Sequence, residues 1–273
     1  MLVNKLSEII TYYQNYRLTK HKYHNRALHL RYFDSYCLSD LKRVQIRQYV
    51  KLRQQRVKNA TINRELSFAR AAINAYAYDF EISINNPFAD IKLKESETIP
   101  HFLTIDDVNK ILYTANHVMK NKNLYDFLSL MVYTGARPYE LITLTWDNVH
   151  LEKRFFIVRD CYSKSGRTLY KYLNDTALGI LSNHDNIGFY VFTNQKTGKP
   201  YHDFKNQFKR CKKLSKIDCR MYDLRHTYAS WLVQNGVGIY TVKELMGHKD
   251  ISSTMRYAHL DYDSYLQALN KIG

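Results

Sequence analysis

Apolar residues in the first third of the chain recur at helical spacing. Between about Thr61 and Tyr78 they follow one another at intervals of four and three positions, which places them on one face of a helix. These positions are Ile62, Leu66, Ala69, Ile73 and Tyr76. Similar patterns predict helices over residues 3–18, 22–34 and 39–56. No alternating pattern typical of a strand competes with them, so this part is predicted to be all-helical.

A change of pattern separates this part from the rest. Asn85, Asn86 and Pro87 end the helical region, because proline disfavours helical geometry in the residue before it and lacks a backbone N–H. A polar stretch over residues 92–98 follows and is typical of a linker. We therefore predict a helical domain over residues 1–91, a linker over 92–103 and a second domain over 104–273.

The second domain opens with two predicted helices. Thr104 is followed three residues later by Asp107, a variant of the capping box, so a helix is expected from there to about residue 117. A second helix is expected over residues 123–134 and should end at Gly135.

A short β-rich region follows these helices. Runs over residues 154–160 and 167–173 flank a turn with the sequence S-K-S-G, which predicts a hairpin. Helical patterns return from residue 201 and end in a short helix over 261–271. The predicted fold class is therefore mainly α with a small β-sheet, an α+β domain that follows an all-helical one.

Composition and charge narrow the class of protein. The 273 residues carry 41 Lys and Arg against 25 Asp and Glu, a formal net charge of +16. With 45% hydrophobic residues the chain can bury a sizeable core, which excludes disordered and fibrous classes. The positive excess indicates a polyanionic partner. It is densest in residues 1–95, where 17 Lys and Arg against 8 Asp and Glu leave a net +9.

One predicted helix concentrates this charge. Arg43, Arg47 and Lys51 lie four apart, so they share a helix face and form a basic stripe. Further basic residues near the stripe are Lys42, Arg53, Arg56 and Lys58. Such a stripe can neutralise several phosphates of DNA, although a solvated helix face is the common alternative. The basic character of the whole first part favours DNA binding.

The sequence lacks the features of membrane proteins, secreted proteins and cysteine-rich zinc or disulfide scaffolds. No run approaches the ~18 apolar residues of a membrane span, and the first residues lack the apolar core of a signal peptide. The cysteines show no C-x-x-C spacing, which argues against a zinc knuckle and a disulfide scaffold. They are Cys37, Cys161, Cys211 and Cys219. We expect a cytoplasmic protein with free thiols.

Four short strings in the second domain carry candidate chemistry. They are T-G-A-R-P-Y-E-L over residues 134–141, Lys164 in the hairpin turn, Y-D-L-R-H over 222–226, and G-H at 247–248 with Tyr257 nine residues later. In this order they resemble the catalytic domain of tyrosine recombinases of the phage-integrase type. The resemblance covers residues from about 100 to 273. The helical first part is similar, more loosely, to the core-binding (SAM-like) domain of that family.

The residue types suit attack on a phosphodiester. Negative charge builds on the nonbridging oxygens during the attack, and a planar guanidinium can bind two such oxygens with paired hydrogen bonds. Arg137 and Arg225 suit this role. Arg137 precedes Pro138, a favoured first helical residue, so it is expected at a helix start with Glu140 in a position to orient it.

The resemblance implies roles for three further residues. Tyr257 would be the nucleophile that forms a 3′-phosphotyrosyl link, and His248 would donate a hydrogen bond to a nonbridging oxygen. Lys164 would be the general acid that protonates the departing 5′ oxygen, with Arg167 and Lys171 as nearby competitors for that role. Because arginine and lysine supply the positive charge, no metal ion or other cofactor is expected.

The chain departs from the family at one position. The family usually has His where this sequence has Tyr222, and a phenol is a poorer base at neutral pH than an imidazole. We therefore expect slowed rather than abolished chemistry, which Tyr222→His should relieve. His226 shares a face with Tyr222 only if their helix already includes residue 222, and the helix could instead begin at Asp223 as the cap. We expect mainly a packing role for His226.

The functional prediction is a site-specific DNA recombinase that carries out integration or excision by strand exchange. A type IB topoisomerase-like enzyme and a noncatalytic DNA-binding protein with the same fold are the alternatives. The resemblance implies double-stranded DNA with attachment sites as partner, a homotetramer on two sites, and accessory DNA-bending or directionality proteins. The helix over residues 261–271 would dock either on its own domain or on a neighbouring subunit.

Overall fold

The computed structural model describes residues 5–16, 24–96, 100–164, 166–260 and 269–270, with the side chains of 24–26 left out. The chain divides into two compact units, Met1–Thr98 and Ile99–Gly273, and each has a hydrophobic core of its own. The predicted linker over residues 92–103 spans this division. Helices dominate both units and the second also contains a small sheet, so the predicted fold class is confirmed.

The described part of the first unit is mainly helical, with an isolated antiparallel bridge between Lys5 and Cys37. Its helices are α1 (Leu6–Tyr16), α2 (His24–Leu30), α3 (Arg43–Gln54) and α4 (Asn59–Asp79). The apolar face predicted for α4 is buried, because all five of the positions named for it are at most 3% exposed. The third helix begins four residues later than predicted. A separate 3-10 turn over Leu38–Asp40 and an extended Leu41 precede it.

The predicted basic stripe of α3 is exposed, with one correction beside it. Arg43, Arg47 and Lys51 all face solvent. Arg53, by contrast, is 8% exposed and donates two hydrogen bonds to Glu65 of α4, at 2.6 and 3.0 Å. Arg53 therefore forms an ion pair in the core and is not part of the exposed basic surface, because Glu65 neutralises its charge inside the unit.

The second unit surrounds one large core with short helices and a three-stranded antiparallel sheet. Its helices are α5 (Ile105–Tyr113), α6 (Lys122–Thr134), α7 (Pro138–Ile142), α8 (Asp175–Ser182), α9 (Lys205–Ser215), α10 (Met221–Gln234), α11 (Ile239–Met246) and α12 (Ser252–Met255). A π-helical turn over Thr114–Val118 extends α5 to about the end that the sequence predicts.

The sheet has the order β1 (Val149–His150), β2 (Phe155–Val158) and β3 (Leu169–Tyr172). The predicted hairpin is thus confirmed, whereas β1 and α8 were not predicted. In β3 the exposed positions hold tyrosine and the buried positions hold Leu169 and Lys171. The helix predicted over residues 261–271 lies almost entirely outside the described residues.

Two glycines end the helices that lead to the candidate motifs. Gly135 follows α6 with a φ of +61°, and Gly247 follows α11 with a φ of +64°, a left-handed conformation in which glycine has no steric penalty. A Cβ at Gly135 would collide with the ring of Tyr228, and one at Gly247 would lie 2.7 Å from Leu169. The end of α6 is therefore packed closely against Tyr228, and the end of α11 is packed closely against Leu169 of β3.

No helix in the part of the chain that the structure describes is both long and apolar enough to cross a membrane.

Replacing Gly135 with Ala should destabilise the second unit by about 2 kcal/mol, because the new methyl group meets Tyr228 and the left-handed backbone costs about 1–3 kcal/mol. Gly179→Ala is the matched control, since Gly179 lies in α8 with no atom near its missing Cβ, and alanine should stabilise that helix by about 0.5–1 kcal/mol. Urea unfolding followed by tryptophan fluorescence reports on this unit alone, because Trp146 and Trp231 both belong to it. Equal effects of the two substitutions would contradict this account.

Candidate active site

Arg225 connects two of the four strings inside the second unit. It lies on α10 and is 2% exposed. One guanidinium nitrogen donates to the carbonyl of Gly135, and the other donates to the carbonyl of Met246 at 2.5 Å. These carbonyls lie at the ends of α6 and α11, where helices leave acceptors without partners. The fork of the guanidinium therefore holds the strings at 134–141 and 247–248 together.

Arg137 lies at the start of α7, as the sequence predicts. Pro138 is the first residue of this helix, and Glu140 accepts a hydrogen bond from the Arg137 backbone at 2.8 Å. The same carboxylate accepts a second bond from the Arg137 guanidinium at 2.5 Å. Glu140 is 2% exposed, so its geometry is fixed by the surrounding core. The prediction that Glu140 orients Arg137 is confirmed.

Lys171 adds a third basic side chain to this cluster. It is 1% exposed, and its Nζ donates to the carbonyl of Leu245, 2.6 Å away. Burial, with Arg225 and Arg137 nearby, holds the pKa of Lys171 well below its usual range, while Glu140 acts in the opposite direction. Lys171 and Arg225 thus bind consecutive carbonyls, of Leu245 and Met246, just ahead of the glycine that ends α11.

Burial also lowers the pKa of Arg225, to about 10, with the neighbouring Arg137 as the second cause. The group still carries its proton at neutral pH. Arg137, Arg225 and Lys171 are opposed within the cluster by the carboxylate of Glu140. A buried site with more donors than acceptors is suited to an anion, because the anion would neutralise the excess charge.

His248 is held at the end of α11 by a partner on α12. Its Nδ1 lies 2.8 Å from the hydroxyl oxygen of Thr254, which is fully buried. Burial lowers the pKa of His248 to about 3, followed by the positive charges of Arg225 and Arg137. The ring is therefore neutral at neutral pH. In the tautomer in which Thr254 donates to Nδ1, the ring proton lies on Nε2, where it can be donated to an oxygen of a bound ester.

Tyr257 lies inside the cluster and bonds to a histidine. Its side chain is 1% exposed, and its Oη lies 2.5 Å from Nδ1 of His226. Burial raises the pKa of Tyr257 to about 12, against the opposing effect of Arg225 and Arg256. The phenol is therefore protonated at neutral pH. His226 packs against the ring of Tyr257, with centroids 5.9 Å apart, and its Nδ1 makes in addition a polar contact with the Tyr257 hydroxyl.

The start of α10 decides how Tyr222 and His226 are related. The helix begins at Met221 with Arg220 as its cap, and Asp223 accepts a hydrogen bond from the Arg220 backbone at 2.8 Å. Asp223 is thus the third helical residue, and the alternative in which it caps the helix is wrong. Tyr222 and His226 lie one turn apart, with ring centroids separated by 6.1 Å. Tyr222 is 41% exposed, so its phenol is open to solvent.

Lys164 lies apart from these groups. It is an exposed residue of the turn between β2 and β3. Tyr162, two residues earlier, packs edge-on against Tyr139 of α7, with ring centroids 6.4 Å apart. The hairpin turn therefore lies beside α7, the helix that Arg137 caps. Among the described residues, no hydrogen bond or ion pair joins Lys164 to the cluster.

Three residues of the cluster have roles that the sequence did not reveal: Lys171, His226 and Thr254. Lys171 lies at an inward position of a strand, where the alternation of β3 predicts an apolar side chain. Thr254 lies three residues ahead of Tyr257, and this closeness in sequence to the tyrosine was the signal that could have identified it.

Among the described residues, no group of three or more His, Cys, Asp or Glu side chains is placed to hold a metal ion.

A buried tyrosine among arginine, lysine and histidine side chains is an arrangement suited to an enzyme in which a phenolic oxygen attacks an anionic ester. The chain matches the phage integrase family model over residues 101–264. It therefore belongs to the phage integrase family, and it is an enzyme of the tyrosine recombinase type.

Curated relatives agree with this family. A tyrosine recombinase of Pseudothermotoga lettingae is 29% identical over 244 residues, which cover 86% of this chain and 84% of the relative. The integrase of Haemophilus phage HP1 is 31% identical over 207 residues, which cover 74% of this chain and 56% of the relative. The chain thus matches little more than half the length of that phage integrase.

Solved structures show the same fold. The Tn1549 transposon integrase, in complex with transposon right end DNA, aligns with a TM-score of 0.79 and 19% identity over 98% of this chain and 99% of that chain. A lambda integrase dimer bound to a COC′ core site aligns with a TM-score of 0.75 and 20% identity over 93% and 77% of the two chains.

Proposed function

We propose that this enzyme is a site-specific recombinase that cuts and rejoins double-stranded DNA by integration- or excision-type strand exchange. The single observation that carries the proposal is the buried hydroxyl of Tyr257 within a cluster of cations. In the reaction the Tyr257 oxygen attacks the phosphorus, the bond from phosphorus to the 5′ oxygen breaks, and a 3′-phosphotyrosyl link forms. Because this link keeps the phosphodiester energy, the released 5′ hydroxyl of a partner strand can attack it without a nucleotide cofactor.

Four side chains are assigned to the scissile phosphate in this proposal. Arg137 and Arg225 bind the nonbridging oxygens, His248 donates from Nε2, and Tyr222 adds a phenolic donor. Their support is the burial of Arg225, the fixed orientation of Arg137 by Glu140 and the hydrogen bond between His248 and Thr254. Donors that are already oriented lose little free energy to reorganisation when charge develops on the phosphate, which favours the transition state.

Lys164 is proposed as the general acid that protonates the departing 5′ oxygen. Its support is its place in the hairpin turn beside α7, with a side chain free to approach a bound strand. Lys171 is the competitor, and it is buried and already bonded to Leu245. A lysine held in this way is better suited to fix the end of α11 than to follow a leaving group.

The exposed stripe of Arg43, Arg47 and Lys51 on α3 is proposed to bind the phosphates of the duplex. Arg43 has one acidic neighbour, Asp90, at 3.8 Å, and both side chains are largely exposed, so this pair is weak. The further partners proposed for this chain are a second DNA site, three more copies in a homotetramer, and accessory bending or directionality proteins. We place the reaction in the cytoplasm or nucleoid.

The nucleophile can be tested with a nicked suicide duplex that carries the attachment site of the element. The parent enzyme should form a covalent complex, and Tyr257→Phe should form none, because phenylalanine lacks the attacking oxygen but fills the same buried space. Tyr240→Phe is the control, since Tyr240 is 74% exposed on α11, and it should react like the parent. A covalent complex that persists in Tyr257→Phe would refute the assignment. Recombinant products from two attachment sites would then separate a recombinase from a topoisomerase-like enzyme.

The general acid can be identified with a duplex that carries sulfur in place of the bridging 5′ oxygen. Lys164→Ala should slow cleavage of the ordinary duplex by about 10²–10⁴-fold, the usual contribution of a general acid. The sulfur duplex should restore its rate, because a thiolate leaves without a proton. Lys171→Met should be slow on both duplexes. The opposite pattern, with only Lys171→Met restored by sulfur, would assign the acid to Lys171.

The basic stripe can be tested through the salt dependence of duplex binding. Replacing Arg43, Arg47 and Lys51 together with Gln should reduce the slope of log affinity against log salt by about 2.7, or about 0.9 for each phosphate that the variant no longer neutralises. The control replaces three scattered exposed lysines with Gln and so removes the same number of positive charges. These lysines are Lys110, Lys120 and Lys196. Equal reductions in the two triple variants would show that α3 has no special role.

A further inference from the structure

We propose that His226 is the base that accepts the proton of Tyr257, in place of the imidazole that the family usually has at the position of Tyr222. This inference rests on the proposed function, since it assigns a further catalytic residue to the same reaction. It follows from one contact, in which Nδ1 of His226 lies 2.5 Å from Oη of Tyr257.

Both rings of this hydrogen bond are uncharged at neutral pH. The phenol of Tyr257 keeps its proton at neutral pH, because burial raises its pKa to about 12. His226 is neutral, because burial lowers its pKa to about 4. The proposal takes the tautomer of His226 with its ring proton on Nε2, in which the phenol donates and Nδ1 accepts. This is the arrangement that a base needs before it takes a proton.

The charges around His226 control how readily it accepts that proton. On its own helix, Asp223 raises its pKa while Arg220 and Arg225 lower it, and Arg256 next to the nucleophile also lowers it. The scissile phosphate would bring a negative charge to the same cluster. A nearby negative charge favours the protonated imidazole, so DNA binding should raise the pKa of His226 towards neutrality.

The proton and electron pairs balance in this scheme. As the Tyr257 oxygen forms its bond to phosphorus, the phenolic proton moves to Nδ1 of His226, and the 5′ oxygen leaves with a proton from the general acid. In rejoining, the 5′ hydroxyl oxygen attacks the phosphorus and gives its proton back to the general acid, while the bond from phosphorus to the Tyr257 oxygen breaks and His226 returns its proton to that oxygen. No metal ion or external co-reactant enters either step.

The position of the base has a simple helical explanation. Tyr222 and His226 lie one turn apart on α10, so both project from the same face of the helix. An imidazole at residue 226 approaches the nucleophile from the buried end of that face, whereas Tyr222 lies 41% exposed at the start of the helix. The chain has therefore kept an imidazole beside Tyr257 despite the departure at residue 222.

The test measures the rate of covalent complex formation on a suicide duplex between pH 6 and pH 9. His226→Asn keeps an acceptor for the Tyr257 hydroxyl but cannot take up its proton. We expect a fall of about 10²–10⁴-fold at pH 7, and a rate that rises about tenfold per pH unit because the phenol must then lose its proton without a base beside it. The parent should show a much flatter profile. His259→Asn, an exposed histidine two residues beyond Tyr257, is the matched control and should behave like the parent.

A double variant adds a readout that a purely structural role would not affect. Tyr222→His in the His226→Asn background restores an imidazole one turn earlier on the same face and should recover part of the rate and the flat profile. In the parent background, Tyr222→His should bring no large gain in rate, since a base is already present. A large gain there would instead support the expectation that Tyr222 limits the reaction, and would overturn this inference.

The outcomes separate the two proposals. If the parent forms no covalent complex, the proposed function fails. If the parent reacts and His226→Asn reacts at the same rate with the same pH profile, only the assignment of His226 fails. Tryptophan fluorescence unfolding checks that the Asn variant is folded, and His226→Gln replaces it in the same measurements if it is not. Duplex affinity should remain within about threefold of the parent in both amide variants, because neither change touches the basic stripe.

Discussion

The fork of the Arg225 guanidinium is the constraint on which the site depends. Two carbonyls at the ends of different helices, those of Gly135 and Met246, accept its two donors inside the core. Removing a charge of this kind from water costs several kcal/mol, and only fixed partners make the arrangement tolerable. The ends of α6 and α11 are therefore held in place by the same group that is assigned to the phosphate. Arg137 follows the end of α6 and His248 follows the end of α11, so the Arg225 guanidinium fixes the positions of both residues indirectly.

The chemistry follows from an excess of buried cations. Burial keeps His226 and His248 neutral and Tyr257 protonated, so each has the protonation state that its role requires before DNA arrives. A phosphate entering this cluster meets donors that are already oriented, and the phenol meets a base that is already bonded to it. The diffuse charge of the first unit serves a different purpose, because its exposed stripe on α3 contributes affinity rather than reactivity.

Much of this arrangement could be predicted from the sequence, because the strings T-G-x-R and L-R-H carry local signals such as a helix-ending glycine and a proline at a helix start. Short elements such as β1 and α8 could not, since a two-residue strand exists only through its pairing with β2. The inward position of Lys171 depends on the register with Phe156 and on α11 packing behind the sheet. The contact of His226 with Tyr257 could not be predicted, because the sequence did not decide whether α10 includes residue 222 or begins at Asp223.

The most direct test of the account compares cleavage with binding in Arg225→Lys. Lysine keeps the positive charge but cannot bind two carbonyls and a phosphate with one planar group. The account predicts that covalent complex formation falls by at least about 100-fold, while duplex affinity stays within about threefold, because the affinity comes from the exposed basic surface. Cleavage close to that of the parent, or an affinity that falls in parallel with cleavage, would contradict the central role given to this guanidinium.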